Sequence, residues 1–172
     1  MKISKISPKD KKLINVIIET PRGSSHKFDF NEEFRIFELK KTLPMGMVFP
    51  FDFGFIPNTK GQDGDPLDVL VIMEAPTFTG CLVKCRLLGV LEASQKERRG
   101  NSERNDRIIG IADCSVVFAG IRTIKELNEN MIQQIESFFI NYNKLAGKKF
   151  EPIGWRDADH ARELISKQML IV

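Results

Sequence analysis

Histidine, tryptophan, tyrosine and cysteine are scarce in this chain, with two, one, one and three copies in 172 residues. The shortages of histidine and cysteine each close off a class of chemistry. His26 and His160 are far apart in sequence and suit surface or capping roles better than metal ligation. Three cysteines, Cys81, Cys85 and Cys114, make an odd count with no tight pairing pattern, a poor disulfide framework that fits a reducing compartment. Cys81 and Cys85 would share one face of a strand. With no CxxC and no nearby histidine, they read as small buried apolar residues and not as a soft-metal site.

No uninterrupted apolar run approaches the length of a membrane span, and MKISKISPKDKK has no apolar core for a secretory signal. The net charge is only +3, with basic residues interspersed among acids. Neither a nucleic-acid tail nor a polybasic membrane anchor fits that pattern, so the expectation is a cytoplasmic protein with no nucleic-acid and no membrane partner.

What the chain does have is a globular composition, 42% hydrophobic and 28% charged. Its length suffices for one sizeable core, and the reading is a single domain over residues 1–172. NVIIE (15–19), KFDF (27–30), FRIF (34–37), DVLVIM (68–73), CLVKCRLLGVL (81–91) and RIIGIA (107–112) read as strands. GQDGD, EAPTFTG and SQKERRGNSERND read as connections. The strands are too closely spaced for intervening helices, which favours a barrel or curled antiparallel sheet. Near residue 123 the pattern changes: Met131, Ile135, Phe138, Tyr142 and Leu145 recur at helical spacing, and Gly147 follows as a stop. A second helix is expected to start at Asp157 as N-cap and to bury Ala161, Leu164 and Ile165.

QDGDPLDVLVIM gathers Asp63, Asp65 and Asp68 at the lip of an apolar strand. Like charges so close repel, and burying them is costly without a cation or hydrogen-bond donors. Extended backbone would point Asp68 away from the other two, so convergence requires a bend, which Gly64 and Pro66 can provide. Three carboxylates on a bent segment suit Mg²⁺ or Mn²⁺. A calcium loop does not fit, because Leu67 and Asp68 stand where such a loop needs an oxygen ligand and a glycine. A solvated acidic turn capping a strand is the bland alternative.

DGDPLDVLV resembles the signature of soluble inorganic pyrophosphatases of the first family. NVIIET, HKF, MVFPFDFGFIPNT, GCLVKCRLLGV, FFINYN and GKKFEPIGW fall in the order and at nearly the spacing of that family, over roughly residues 14 to 168. The resemblance implies a mainly β chain with some α: a small closed five-stranded, OB-like β-barrel flanked by C-terminal helices. It also implies a homo-oligomer, with a hexamer favoured, and Mg²⁺-dependent hydrolysis of inorganic diphosphate to two phosphates. Carried over by position, Asp63, Asp65 and Asp68 would be metal ligands, and Asp65 would also help deprotonate the water between two metals. Glu19 and Asp29 would border the metal site, while Lys27, Lys41, Arg107 and Tyr142 would bind phosphate oxygens. Such a division makes chemical sense: metals activate water, and basic side chains stabilise charge on the leaving phosphate.

The chain departs from the family at several positions. Gln95 and Asn105 are neutral where two further acidic ligands are usual, and Asp106 or Glu103 could supply a replacement carboxylate. Asp29 replaces glutamate, Lys41 arginine, Arg107 lysine and Asn143 lysine, while Phe49 and Phe53 replace tyrosines. An impaired homologue that binds diphosphate or another phosphorylated ligand without turnover is therefore the alternative reading. A barrel binding single-stranded nucleic acid through the basic 95–107 loop and FPFDFGF is a third, weakened because those phenylalanines suit a core and acids interrupt the loop.

Overall fold

The computed structural model describes residues 3, 6–10, 12–62, 64–97 and 100–170. Among these residues, ten strands and two α-helices follow one another as β1 (Lys9–Asp10), β2 (Leu13–Thr20), β3 (His26–Asn31), β4 (Ile36–Thr42), β5 (Asp52–Phe55), β6 (Asp68–Ile72), β7 (Leu82–Lys96), β8 (Ser102–Arg104), β9 (Arg107–Ala112), α1 (Glu129–Leu145), β10 (Lys149–Asp157) and α2 (Ala158–Gln168). Five of the strands close a ring: β2 pairs β5, β5 pairs β6, β6 pairs β9, β9 pairs β7, and β7 returns to β2. The expected five-stranded barrel with C-terminal helices is present.

Alternation along the strands sorts side chains into cores on opposite faces. Val69 and Val71 of β6 join Val16 and Ile18 of β2, Val83 and Leu87 of β7, and Ala161 and Ile165 of α2. Leu70 and Ile72 join Leu88, Ile109 and Ile111 beneath Ile135, Phe138 and Phe139 of α1. Both faces are covered, which is why these strands read as unbroken apolar runs.

The helices follow expectation closely. Asp157 caps α2 by accepting the His160 N–H at 2.9 Å, and Gly147 takes φ 74° just past α1. Leu145 is an exception, 59% exposed on the last turn.

Four sequence expectations need correction. The ring is not wholly antiparallel, since β9 follows β7 antiparallel and so runs parallel to β6. In FRIF, Phe34 and Arg35 form the turn, with Arg35 at φ 56°, and β4 begins only at Ile36. SQKERRGNSERND is largely a hairpin: β7 continues to Lys96, and β8 pairs back on it through Ser94↔Arg104 and Gln95↔Glu103. Finally, β5 and β10 are strands although neither segment shows a clear strand period. Among the described residues no helix is long and apolar enough to cross a membrane.

Candidate active site

Glu19 near the end of β2, Asp29 on β3, Asp65 in the turn before β6 and Asp68 at its start all line one cleft of about 900 Å³. Asp63 lies outside the described residues. The predicted bend is there: Gly64 adopts φ 91°, and the Gly61 N–H donates to the Asp65 carbonyl at 2.7 Å. Buried Leu67 fixes the turn to the barrel, donating its N–H to Thr59 Oγ1 at 3.0 Å and accepting the Ile56 N–H at 3.0 Å. Among the described residues, six carboxylates, those of Glu19, Asp29, Glu32, Glu38, Asp65 and Asp68, share the cleft with three basic side chains, Lys27, Arg35 and Lys40.

Glu19 is 8% exposed, and its Oε1 accepts the Phe30 N–H at 3.0 Å, which ties β3 to β2. Burial pushes its pKa up to about 8, with Lys27 pulling the other way and Asp68 adding to the rise. Lys27 is bonded to Asp29. Burial disfavours its charge, but Glu19 and Asp29 outweigh that and hold it above the usual lysine range.

A β-bulge at Lys40 makes Lys27 and Lys41 direct cross-strand partners. Like charges set opposite one another destabilise a hairpin, and here the Lys27 charge is offset by Asp29. The Lys41 ammonium lies 3.7 Å from the centre of the Tyr142 ring. Burial, then Lys27 and Lys148, push the Lys41 pKa down to about 8. Tyr142 stacks on Phe138 at 5.6 Å and meets Phe49 edge-on at 5.8 Å, so its ring belongs to the core. Burial raises its pKa to about 12 against the pull of Lys27 and Arg107, which keeps the hydroxyl a donor at neutral pH.

Arg107, at the start of β9, is 6% exposed and ion-paired with Asp68. Its guanidinium sits over the rings of Phe139, Phe150 and Phe53 at 5.2, 5.9 and 6.0 Å. The same Nη1 that meets Asp68 also donates to Asn105 Oδ1, and Asn105 Nδ2 donates to Gln95 Oε1 at 3.0 Å. Nothing in the sequence signalled this link, because Gln95 and Asn105 face each other only once the loop is known to be a hairpin.

Asp106 is placed differently. It lines a smaller cavity of about 270 Å³ that shares Pro66 and Asp68 with the cleft. Its Oδ1 accepts the Ala93 N–H at 2.9 Å, and Arg104 Nη2 lies 3.0 Å away. Glu103 is exposed on β8. Asn143 is 3% exposed and donates to the Phe139 carbonyl at 2.9 Å, so it serves the interior of α1. Phe49 and Phe53 are buried in the core, as expected of FPFDFGF.

Of the histidines, His26 is exposed and His160 Nε2 stands 3.3 Å from Glu92 Oε1. The cysteine expectation holds for Cys85, which is buried. It fails for half-buried Cys81, which lies just before β7; Cys114, past the end of β9, is exposed.

A sequence profile of the family described as inorganic pyrophosphatase matches residues 16–170. The inorganic pyrophosphatase of Synechocystis sp. is 36% identical over 168 residues, 97% of this chain and 96% of that one. That of Geobacillus stearothermophilus is 34% identical over 158 residues, 92% of this chain and 93% of that one. The crystal structure of the Thermus thermophilus inorganic pyrophosphatase superposes with a TM-score of 0.88 at 31% identity, covering 96% of this chain and 95% of that one.

Proposed function

Because the chain belongs to the inorganic pyrophosphatase family, we propose that the 900 Å³ cleft is where it hydrolyses inorganic diphosphate to two phosphates with Mg²⁺, or with Mn²⁺ in its place. The side chains present suit such a cation. Among the described residues of the cleft carboxylates outnumber bases six to three, and the carboxylates all offer hard oxygen donors. Among the described residues no three acidic, histidine or cysteine side chains already converge as a ligand set. Asp29 and Asp68 are instead bonded to Lys27 and Arg107, partners that a divalent ion would replace.

Glu19, Asp29, Asp65 and Asp68, with Asp63 beside them in sequence, are the residues that would hold the ion. Once bound, it would lower the pKa of a water molecule and neutralise phosphate charge. Asp65 is exposed in the cleft and takes the proton from the attacking water. Lys27 and Lys41, held opposite each other by the bulge, grip phosphate oxygens as point charges, and Tyr142 donates its hydroxyl. Arg107 holds the second phosphate and stabilises the charge that develops as it leaves.

The observation that carries the reading is the opposition itself: a paired set of lysines on the β3–β4 hairpin beside a carboxylate-rich cleft. Purified protein given Mg²⁺ and diphosphate is expected to release phosphate, and Asp65→Asn to lower kcat by about 10²-fold or more. Failure of the unaltered protein to release phosphate with Mg²⁺, Mn²⁺ or Co²⁺ would reject the reading.

A further inference from the structure

The hydrogen-bond chain behind Arg107 has a fixed polarity. A primary amide offers an oxygen that accepts and a nitrogen that donates. Asn105 must present Oδ1 to Arg107 Nη1, which can only donate, and its Nδ2 is then held by donating to Gln95 Oε1. Arg107 Nη1 has two N–H groups; the other goes to Asp68 Oδ2, with the Asp106 carbonyl 3.4 Å from the same nitrogen. Asn105 is itself held in place, since its backbone N–H donates to the Ala93 carbonyl at 2.9 Å. The guanidinium is buried over three phenylalanine rings, which support its charge but do not fix its direction. Direction comes from Asp68 and Asn105. Being neutral, Asn105 aims the guanidinium without competing with Asp68 for its charge.

We propose that Asn105, oriented by Gln95, is a positioning residue that holds the Arg107 guanidinium on Asp68. The resting protein then carries its own cation at that carboxylate, and a divalent ion entering at Asp68 frees Arg107 for the phosphate. This inference rests on the cleft being a metal-dependent diphosphate site. It explains how one carboxylate and one guanidinium serve two partners in turn. A divalent ion at Asp68 competes with the guanidinium for the same carboxylate charge, so uptake of one loosens the other. It also assigns a role to two neutral amides, of which Asn105 lines the smaller cavity beside Asp68.

Replacing Asn105 by leucine removes the acceptor while roughly keeping size. With the guanidinium less firmly fixed, a divalent ion should displace it more easily, while the phosphate meets a less ordered partner. Asn105→Leu is therefore expected to bind Mg²⁺ several-fold more tightly by calorimetry with magnesium chloride alone, and to show a kcat/KM for diphosphate lowered about 10-fold. Gln95→Leu, which removes only the group that orients the amide, should shift both constants in the same directions by less, and it carries the test if Asn105→Leu does not fold. Opposite movement of the two constants is the signature; a purely structural defect would weaken both. Both constants within two-fold of the unaltered protein, or both weakened together, would overturn the proposal. Lack of turnover in the unaltered protein would count against diphosphate hydrolysis alone, because the calorimetric shift still decides where Arg107 is held.

Discussion

A lysine set directly across a two-stranded sheet from another lysine gives up its proton more readily, and Lys41 faces Lys27 in that way. Burial and the Lys27 charge bring its pKa down to about 8. In the proposed site its ammonium is part of the phosphate grip, so the sign follows directly. Below about pH 8 the charge is present and KM for diphosphate is low; as pH rises through that value the charge is lost and KM rises. Arginine stays charged throughout this range. Lys41→Arg is therefore expected to flatten the alkaline rise in KM, by several-fold at pH 9, in steady-state assays of both proteins. Ionisation of diphosphate itself affects the two alike, so coincident profiles would remove Lys41 from the grip. At this scale the sequence was legible where residues are neighbours in the chain. Gly64 and Pro66 announced the bend that sends Asp65 and Asp68 into one cleft. It was not legible where partners meet through pairing: the bulge that opposes Lys27 and Lys41, or the amide link from Gln95 to Arg107.

Elements with a strong period were readable in advance, and those with a mixed one were not. Helix α1 announced itself through Ile135, Phe138 and Tyr142, and α2 through the Asp157 cap. Strand β5 did not, because Asp52–Phe55 is buried on both sides and carries a glycine and an aspartate. Strand β10 contains Pro152 and Gly154, residues that argue against a strand. They are tolerated because the strand ends the sheet path and the register shifts between them. The glycine in β5 has its own reason. A Cβ on Gly54 would stand 2.0 Å from the Ile17 carbonyl oxygen and 2.9 Å from the Ile18 Cα, where β5 crosses β2 beside Glu19. Backbone cannot move aside as a side chain can. Gly54→Ala is thus expected to lower the unfolding free energy by about 3 kcal/mol, the upper part of the range for overpacking. Urea denaturation checks this, and a midpoint equal to that of the unaltered protein would mean that β2 and β5 do not approach so closely.

For the molecule as a whole, the cleft sets stability against function, and Glu19 is where the two meet. Its carboxyl has an ordinary pKa of 4.5 and one of about 8 in the folded protein. A raised carboxyl pKa means that the folded state holds the proton more tightly than the unfolded chain. The stabilisation is fully present below pH 4.5 and is lost as pH rises through about 8. The span amounts to a few kcal/mol in order of magnitude. Glutamine keeps an oxygen to accept the Phe30 N–H and has no proton to lose. In chelator, Glu19→Gln should therefore melt close to the unaltered protein at pH 5 and clearly above it at pH 8.5. Adding Mg²⁺ should reverse the order. A ligand at 100 times its Kd stabilises the folded state by about 2.7 kcal/mol, and the variant, lacking one anionic oxygen donor, should gain less than the unaltered protein. Thermal melts of both proteins, with chelator and with Mg²⁺ at the two pH values, make the comparison. Parallel curves in chelator would show that burial at Glu19 is not what the ion relieves. Crossed curves would show that the barrel tolerates an unstable carboxylate because a cation, when present, needs it.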